Sequence, residues 1–194
     1  MRTRGAALLA LVAAGLTAAC SGEQPGPGPS PTVSDSSESV SPTPTPTWTP
    51  PPTRPAAALE GTPAGAEAFV RYFLEVYVYA FASNNPSPLD DVTLKGCGFC
   101  VSLTDEIRAH AAKGHRVVGE TLQVTSVVAA PNGSQDRTVV SALFHQSASK
   151  LVDSAGKTVD SFDSAPSQEL AIAVRWNVVT GWRVIAGRFE DHDK

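Results

Sequence analysis

At Gly114 the hydrophobic pattern of the chain changes period, and that change limits the folds open to it. Before Gly114, apolar residues recur every three or four positions; after it they alternate with polar ones, and β-branched side chains become frequent. A spacing near 3.6 buries one stripe of a helix, whereas a spacing of two buries one face of a strand. The order is therefore helices first, strands afterwards. Strands joined by short turns pair with their neighbours, so this order predicts an α+β domain with the helices gathered on one face of an antiparallel sheet.

The first helix has start and stop signals. Thr62 followed by Pro63 supplies an N-cap and a favoured first helical residue. Phe69, Phe73, Val76 and Ala80, flanked by Tyr72 and Tyr77, form a helical stripe through Ser83, and Asn84-Asn85-Pro86 ends it. One further turn at Pro88-Leu89-Asp90-Asp91 leads to a loop carrying Cys97 and Cys100. Ser102 is then expected to cap a second helix, with Leu103, Ile107 and Ala111 inward and Gly114 at its end.

Alternation predicts a first strand over residues 116–130, with Val118, Leu122, Val124 and Val128 on one face. Pro131-Asn132-Gly133 is turn chemistry. A second strand over residues 137–152 places Val140, Ala142 and Phe144 together. Asp153 to Gly156 turns the chain into a short strand over residues 157–162. Residues 168–179 group Leu170, Ile172, Val174 and Trp176, and Thr180-Gly181 leads into a last strand over 182–189. The expected fold is two N-terminal helices packed on a curved antiparallel sheet of four to five strands, spanning residues 62–190. Residues 191–194 are a polar tail.

Ahead of this domain the chain has a different character. Arg2 and Arg4 precede an apolar run from Ala6 to Ala19, and small residues lead directly to Cys20. That is the anatomy of a cleaved signal peptide over residues 1–19, with Cys20 as the lipid-attachment residue of a bacterial lipoprotein. Thr17 rather than Leu stands three residues before the cysteine, with Leu16 next to it. The run is about fourteen residues, short of the roughly twenty that a spanning helix needs. Residues 20–61 follow as a lipidated cysteine and a Pro/Ser/Thr-rich stalk, centred on Pro42-Thr43-Pro44-Thr45-Pro46-Thr47. Such a composition predicts disorder because it carries too little apolar surface to offset chain ordering. Held extended at ~3.1 Å per residue, it would reach about 120 Å from the membrane. A recognition segment for a Pro-binding partner, or a carrier of O-linked sugars, is the alternative use of this stretch. The expected location is the extracytoplasmic face of the cell membrane, held by acyl chains such as palmitate.

Charge narrows the partners. The chain has 15 Lys and Arg against 19 Asp and Glu, a net charge of −4; loss of Arg2 and Arg4 leaves 13 against 19, or −6. The basic residues are scattered singly, so neither nucleic acid nor electrostatic lipid binding is expected. With Cys20 taken by lipid, Cys97 and Cys100 remain as a pair in an oxidising compartment, which predicts a disulfide. Its small ring is worth only about 2 kcal/mol by loop entropy, so it would act by fixing local geometry. Two other readings stay open. A thiol-redox pair requires a strand before it and a helix at the first cysteine, while a zinc site would have to recruit His110 and His115. No metal or cofactor is assigned.

The helix order, the sheet and the closing run Trp176-Asn177-Val178-Val179-Thr180-Gly181-Trp182-Arg183-Val184 resemble the cone-shaped fold of the nuclear-transport-factor-2-like and SnoaL-like superfamily. Glu67-Ala68-Phe69-Val70-Arg71-Tyr72-Phe73, Pro88-Leu89 and the paired cysteines are similar to a family of actinobacterial lipoproteins of unknown function, over residues 62–189. The resemblance implies a cavity between sheet and helices where ligands or substrates sit, and a homodimer joined through the sheet. It supplies no catalytic residues.

Within such a cavity, polar residues on an apolar face are the candidates for ligand binding. Glu120 shares parity with Val118, Leu122 and Val124; Gln146 with Val140, Ala142 and Phe144; Arg188 with Trp182 and Val184. Tyr72 joins them as a phenol on the first helix. A β-bulge or a place on the wet rim would turn any of them away. No Ser-His-Asp order, metal cluster or glycine-rich phosphate loop can be assembled, and no catalytic residue is assigned. The first functional expectation is a lipid-anchored binding or interaction domain of the envelope, engaging an envelope protein or a small molecule. A cone-fold isomerase, dehydratase or hydrolase acting on a small apolar molecule, and a thiol-redox lipoprotein, are the alternatives.

Overall fold

The computed structural model describes residues 50–131, 134 and 136–190. Cys20, the expected signal peptide and the expected stalk up to residue 49 lie outside the described residues, as do residues 191–194. A single 3-10 turn, Ala56–Leu59, precedes α1 (Pro63–Ser83), the short α2 (Ser87–Asp90) and α3 (Gly98–Ala112). Seven strands follow: β1 (Arg116–Val118), β2 (Leu122–Ala129), β3 (Arg137–Gln146), β4 (Ser149–Val152), β5 (Thr158–Phe162), β6 (Ala165–Arg175) and β7 (Arg183–Glu190). No helix among the described residues is long and apolar enough to cross a membrane.

The domain is α+β, with two antiparallel sheets. β2, β3, β6 and β7 form a four-stranded sheet in that order, and β1, β4 and β5 a three-stranded one. The single strands expected over 116–130 and 137–152 are each split between the two sheets. Both breaks fall at one corner: Ser147 Oγ accepts from Thr121 N at 2.8 Å and donates to the Gly119 carbonyl at 2.8 Å. Gly119 takes φ of 83°, a left-handed conformation that lets the first strand turn there.

The core forms where α1 crosses the four-stranded sheet. Phe69, Phe73, Val76 and Ala80 from the helix meet Val140, Ala142, Leu170, Ile172, Val174 and Val184 from the strands, all essentially buried. Thr62 caps α1 as expected, its side chain accepting from Gly65 N at 3.0 Å, and Asn84 ends it in the left-handed region.

Four expectations need correction. The packed domain begins before Thr62: Ala58 is fully buried, the Arg54 guanidinium lies over the rings of Phe69 and Tyr72, and the Glu60 carbonyl accepts from Trp182 Nε1 at 2.7 Å. A Pro-rich composition concealed these contacts because each partner is distant in sequence. α3 starts a turn earlier than Ser102, at Gly98, with Cys97 as N-cap. Ala111, in the last turn of α3, is exposed, while Leu103 and Ile107 are buried as expected. Val128 faces outward, 56% exposed, and Val127 replaces it in the core. Thr125 is the cause: it is an extra residue in β2 against β3, and such a bulge reverses the parity of everything after it.

Candidate functional site

A small pocket opens between the helices and the four-stranded sheet. Its floor is Phe73 and Leu74 of α1, Phe144 of β3 and Leu170 of β6, all buried. Its rim is half-exposed: Tyr77, Phe99, Leu122 and Gln146, with Phe189 51% exposed at the end of β7. The free space is about 10 Å³, what the centre of one water molecule requires. Side chains rather than solvent fill the cone.

Floor and rim differ in chemistry because their residues come from different places. α1 and the central strands contribute the alternating apolar positions of the core. The polar part of the rim arises where strand pairing stops: Gln146 is the last residue of β3 and pairs with Leu122, the first of β2, while Glu120 sits in the connection just before it. Gln146 Nε2 donates to Glu120 Oε1 at 2.9 Å. The Tyr77 side chain, one turn beyond Phe73 on α1, lies near enough to the same carboxyl to influence its proton affinity. Burial pushes Glu120 above its ordinary carboxylate value, the charge of Glu106 adds to that, and Tyr77 and Gln146 partly oppose it. Burial also pushes Tyr77 upward, reinforced by Glu120 and Glu106, so its hydroxyl keeps its proton.

The structure thus brings together two of the four ligand candidates, Glu120 and Gln146. Tyr72 is buried in the core under Arg54 and does not line the pocket. Arg188 is exposed and bound to Glu190 Oε1 at 2.8 Å. Ile185 is an extra residue in β7, since Ala173 pairs with Ala186 but Val174 with Val184. The bulge turns Arg188 to the outer face and brings Gly187 and Phe189 round to the helix side. Tyr77, like Tyr72 and Tyr79, was readable as a phenol of the first helix, where the aromatic stripe favours core packing over a functional role. Phe99 gave no signal, because its place depends on the glycine opposite it in β7.

Cys97 and Cys100 form a disulfide at the N-terminus of α3. Both cysteines are buried. The segment before them is a loop rather than the strand a thioredoxin-like arrangement has, joined to β7 through a bridge from Thr93 to Val184. Among the described residues no cluster of three or more His, Cys, Asp or Glu could hold a metal ion.

A protein family described as a family of unknown function (DUF6318) matches residues 43–187. The chain belongs to that family. The match begins well before Thr62, in agreement with the packing of Arg54 and Ala58. No curated protein matches the chain. Among solved structures, it is similar to the intermembrane space region of the chloroplast protein ARC6, with 19% identity, a TM-score of 0.48, and coverage of 66% of this chain and 95% of that one. A nuclear transport factor 2-like superfamily protein from Salmonella enterica gives 11% identity, a TM-score of 0.46 and coverage of 69% and 95%. An uncharacterised protein with a cystatin-like fold from Caulobacter vibrioides gives 12%, 0.42, and coverage of 64% and 89%.

Proposed function

We propose that the domain is a non-catalytic binding module of the cell envelope, held to the extracytoplasmic face of the membrane by lipid on Cys20, and that the pocket beneath α1 and α3 is its site. The observation that supports this reading is the division of the pocket lining: a wholly apolar floor, with one hydrogen-bonded polar cluster at the rim. Such a lining suits a molecule with an apolar body and a single polar head. The Gln146 side-chain amide that lines the rim can both donate and accept, so the head can be an alcohol, an amide or an acid. With about 10 Å³ free, an occupant must displace rim side chains.

Calorimetric titration of the lipid-free mature protein against medium-chain alcohols, amides and fatty acids tests the site. Saturable one-to-one binding is expected, weakened about tenfold by Gln146→Leu, the equivalent of one hydrogen bond. No saturation with any of them, or an affinity indifferent to that substitution, would refute the site. Cys20→Ser tests the anchor: the protein should leave the membrane fraction, and its retention there would contradict lipid attachment.

A further inference from the structure

Phe99 stands in the first turn of α3, inside the four-residue ring Cys97-Gly98-Phe99-Cys100 that the disulfide closes. Its ring rests on the backbone of β7 at Gly187, where a Cβ would come within 2.6 Å of Phe99 Cδ1. Phe189, on the same side of β7, meets it edge to face with centroids 6.4 Å apart. The two phenylalanines make the aromatic part of the pocket rim, and Phe99 is the one whose backbone is tied.

Hydrogen bonds hold that turn, Val101 N donating to the Cys97 carbonyl at 3.0 Å and Ser102 Oγ to the Gly98 carbonyl at 3.2 Å, but its N-terminal end is weakly capped. Its first residues include no acidic side chain to favour the helix N-terminus. Its cap is a sulfur, Cys97 Sγ accepting from Cys100 N at 3.2 Å, a weaker acceptor than the oxygen of Ser, Thr or Asp. Gly98 has nothing within 4 Å of where a Cβ would stand, and glycine adds backbone freedom. The disulfide is the covalent restraint on this turn, holding the two Cα atoms 5.2 Å apart, the spacing of one helical turn.

We propose that the Cys97–Cys100 disulfide is a latch on the pocket: closed, it seats Phe99 on Gly187 and shuts the rim; reduced, it lets the first turn of α3 fray and Phe99 swing away. This inference rests on the reading of the pocket as a binding site. Opening is a two-electron reduction by a dithiol. A thiolate of the reductant attacks one sulfur to give a mixed disulfide, and its second thiol displaces the protein, leaving two protein thiols and an oxidised dithiol. A cleft of about 450 Å³ reaches the pair, lined among others by Thr93, Lys95, Cys97, Cys100 and Arg108.

The test compares oxidised protein, the same protein reduced with dithiothreitol, the Cys97→Ser/Cys100→Ser variant and Phe99→Ala with its disulfide intact. Two readouts are taken: amide hydrogen exchange over residues 98–101, which needs no ligand, and binding of the neutral fluorescent probe N-phenyl-naphthylamine. Reduction and the double substitution should both speed exchange and raise probe affinity about tenfold, the gain expected when a rarely open state becomes the main one. Phe99→Ala should bind the probe equally well oxidised or reduced. If Phe99→Ala binds but reduction of the parent protein changes neither readout, the latch is wrong and the pocket stands. If Phe99→Ala does not bind, the pocket reading itself is wrong. Should the double substitution fail to fold, the reduced parent protein carries the comparison.

Discussion

Replacing Gly187 with Ala would put a methyl group where the Phe99 ring already lies. On the present backbone, the new Cβ would stand 2.6, 2.8 and 2.9 Å from Cδ1, Cε1 and Cγ of that ring. Carbon atoms pack comfortably at about 3.5–4.0 Å, so the deficit is about 1 Å at each of three contacts. The disulfide closes the backbone that carries the ring, so the ring can relieve the contact only by turning about its own side-chain bonds, off its seat on β7. Overpacking of this kind costs about 1–3 kcal/mol. Reduced freedom of the unfolded chain returns about 0.4–1 kcal/mol on changing Gly to Ala. The net loss should therefore fall between about 0 and 2.5 kcal/mol by these two effects, or up to several degrees of midpoint at roughly 2–8 °C per kcal/mol. Thermal unfolding of a double-mutant cycle checks the cause. In a Phe99→Ala background, Gly187→Ala should cost nothing, giving a coupling well above the ~0.3–0.5 kcal/mol scatter of independent sites. An equal loss in both backgrounds would mean that Phe99 does not lie on Gly187.

Glu120 makes stability depend on pH. Burial raises its proton affinity in the folded chain above the ordinary value of 4.5, so the folded state holds the proton more tightly. Its contribution is full below that ordinary value and is lost as pH rises through the raised one. Glu120→Gln should flatten this decline in a series of urea unfolding curves; parallel declines for both proteins would contradict the assignment. Starting the chain at Thr62 removes Ala58 from the core and the Glu60 carbonyl from the Trp182 indole. An unpaired buried N–H costs about 1–3 kcal/mol, so the urea midpoint should fall clearly; an unchanged midpoint would show that residues 54–60 do not contribute. Reduction of the disulfide should cost about 2 kcal/mol, as expected for a very small closed loop, and a larger loss by denaturant titration would point to a role in the whole core.

Much of the helical half was legible because its signals are local. Thr62-Pro63 and Asn84-Asn85-Pro86 bracket α1, and every residue of the Phe69, Phe73, Val76, Ala80 stripe is buried. Glu120 and Gln146 were each legible as polar residues sharing parity with apolar neighbours, but their contact with one another was not. What escaped has one recurring cause: parity survives only until a bulge. Thr125 in β2 exchanged Val128 for Val127, and Ile185 in β7 sent Arg188 outward while turning Gly187 and Phe189 toward the helices. A single extra residue leaves no mark in composition, yet it reassigns every later side chain. Two further features depend on partners far away in sequence. Arg54 lies over Phe69 and Tyr72, and the Phe99 ring rests on Gly187 of β7. Neither can be read from a window of local sequence.

The most direct measurement for a binding site with an apolar floor and a polar rim is a nuclear magnetic resonance titration of the isotope-labelled domain with octanol. The side-chain amide of Gln146 and the backbone amides of Phe73, Phe144 and Leu170 should shift together and saturate at one common concentration. Shifts confined to exposed apolar residues such as Leu59, Val178 and Val179, with Gln146 unmoved, would place binding on the outer surface and remove the pocket from the function of this domain.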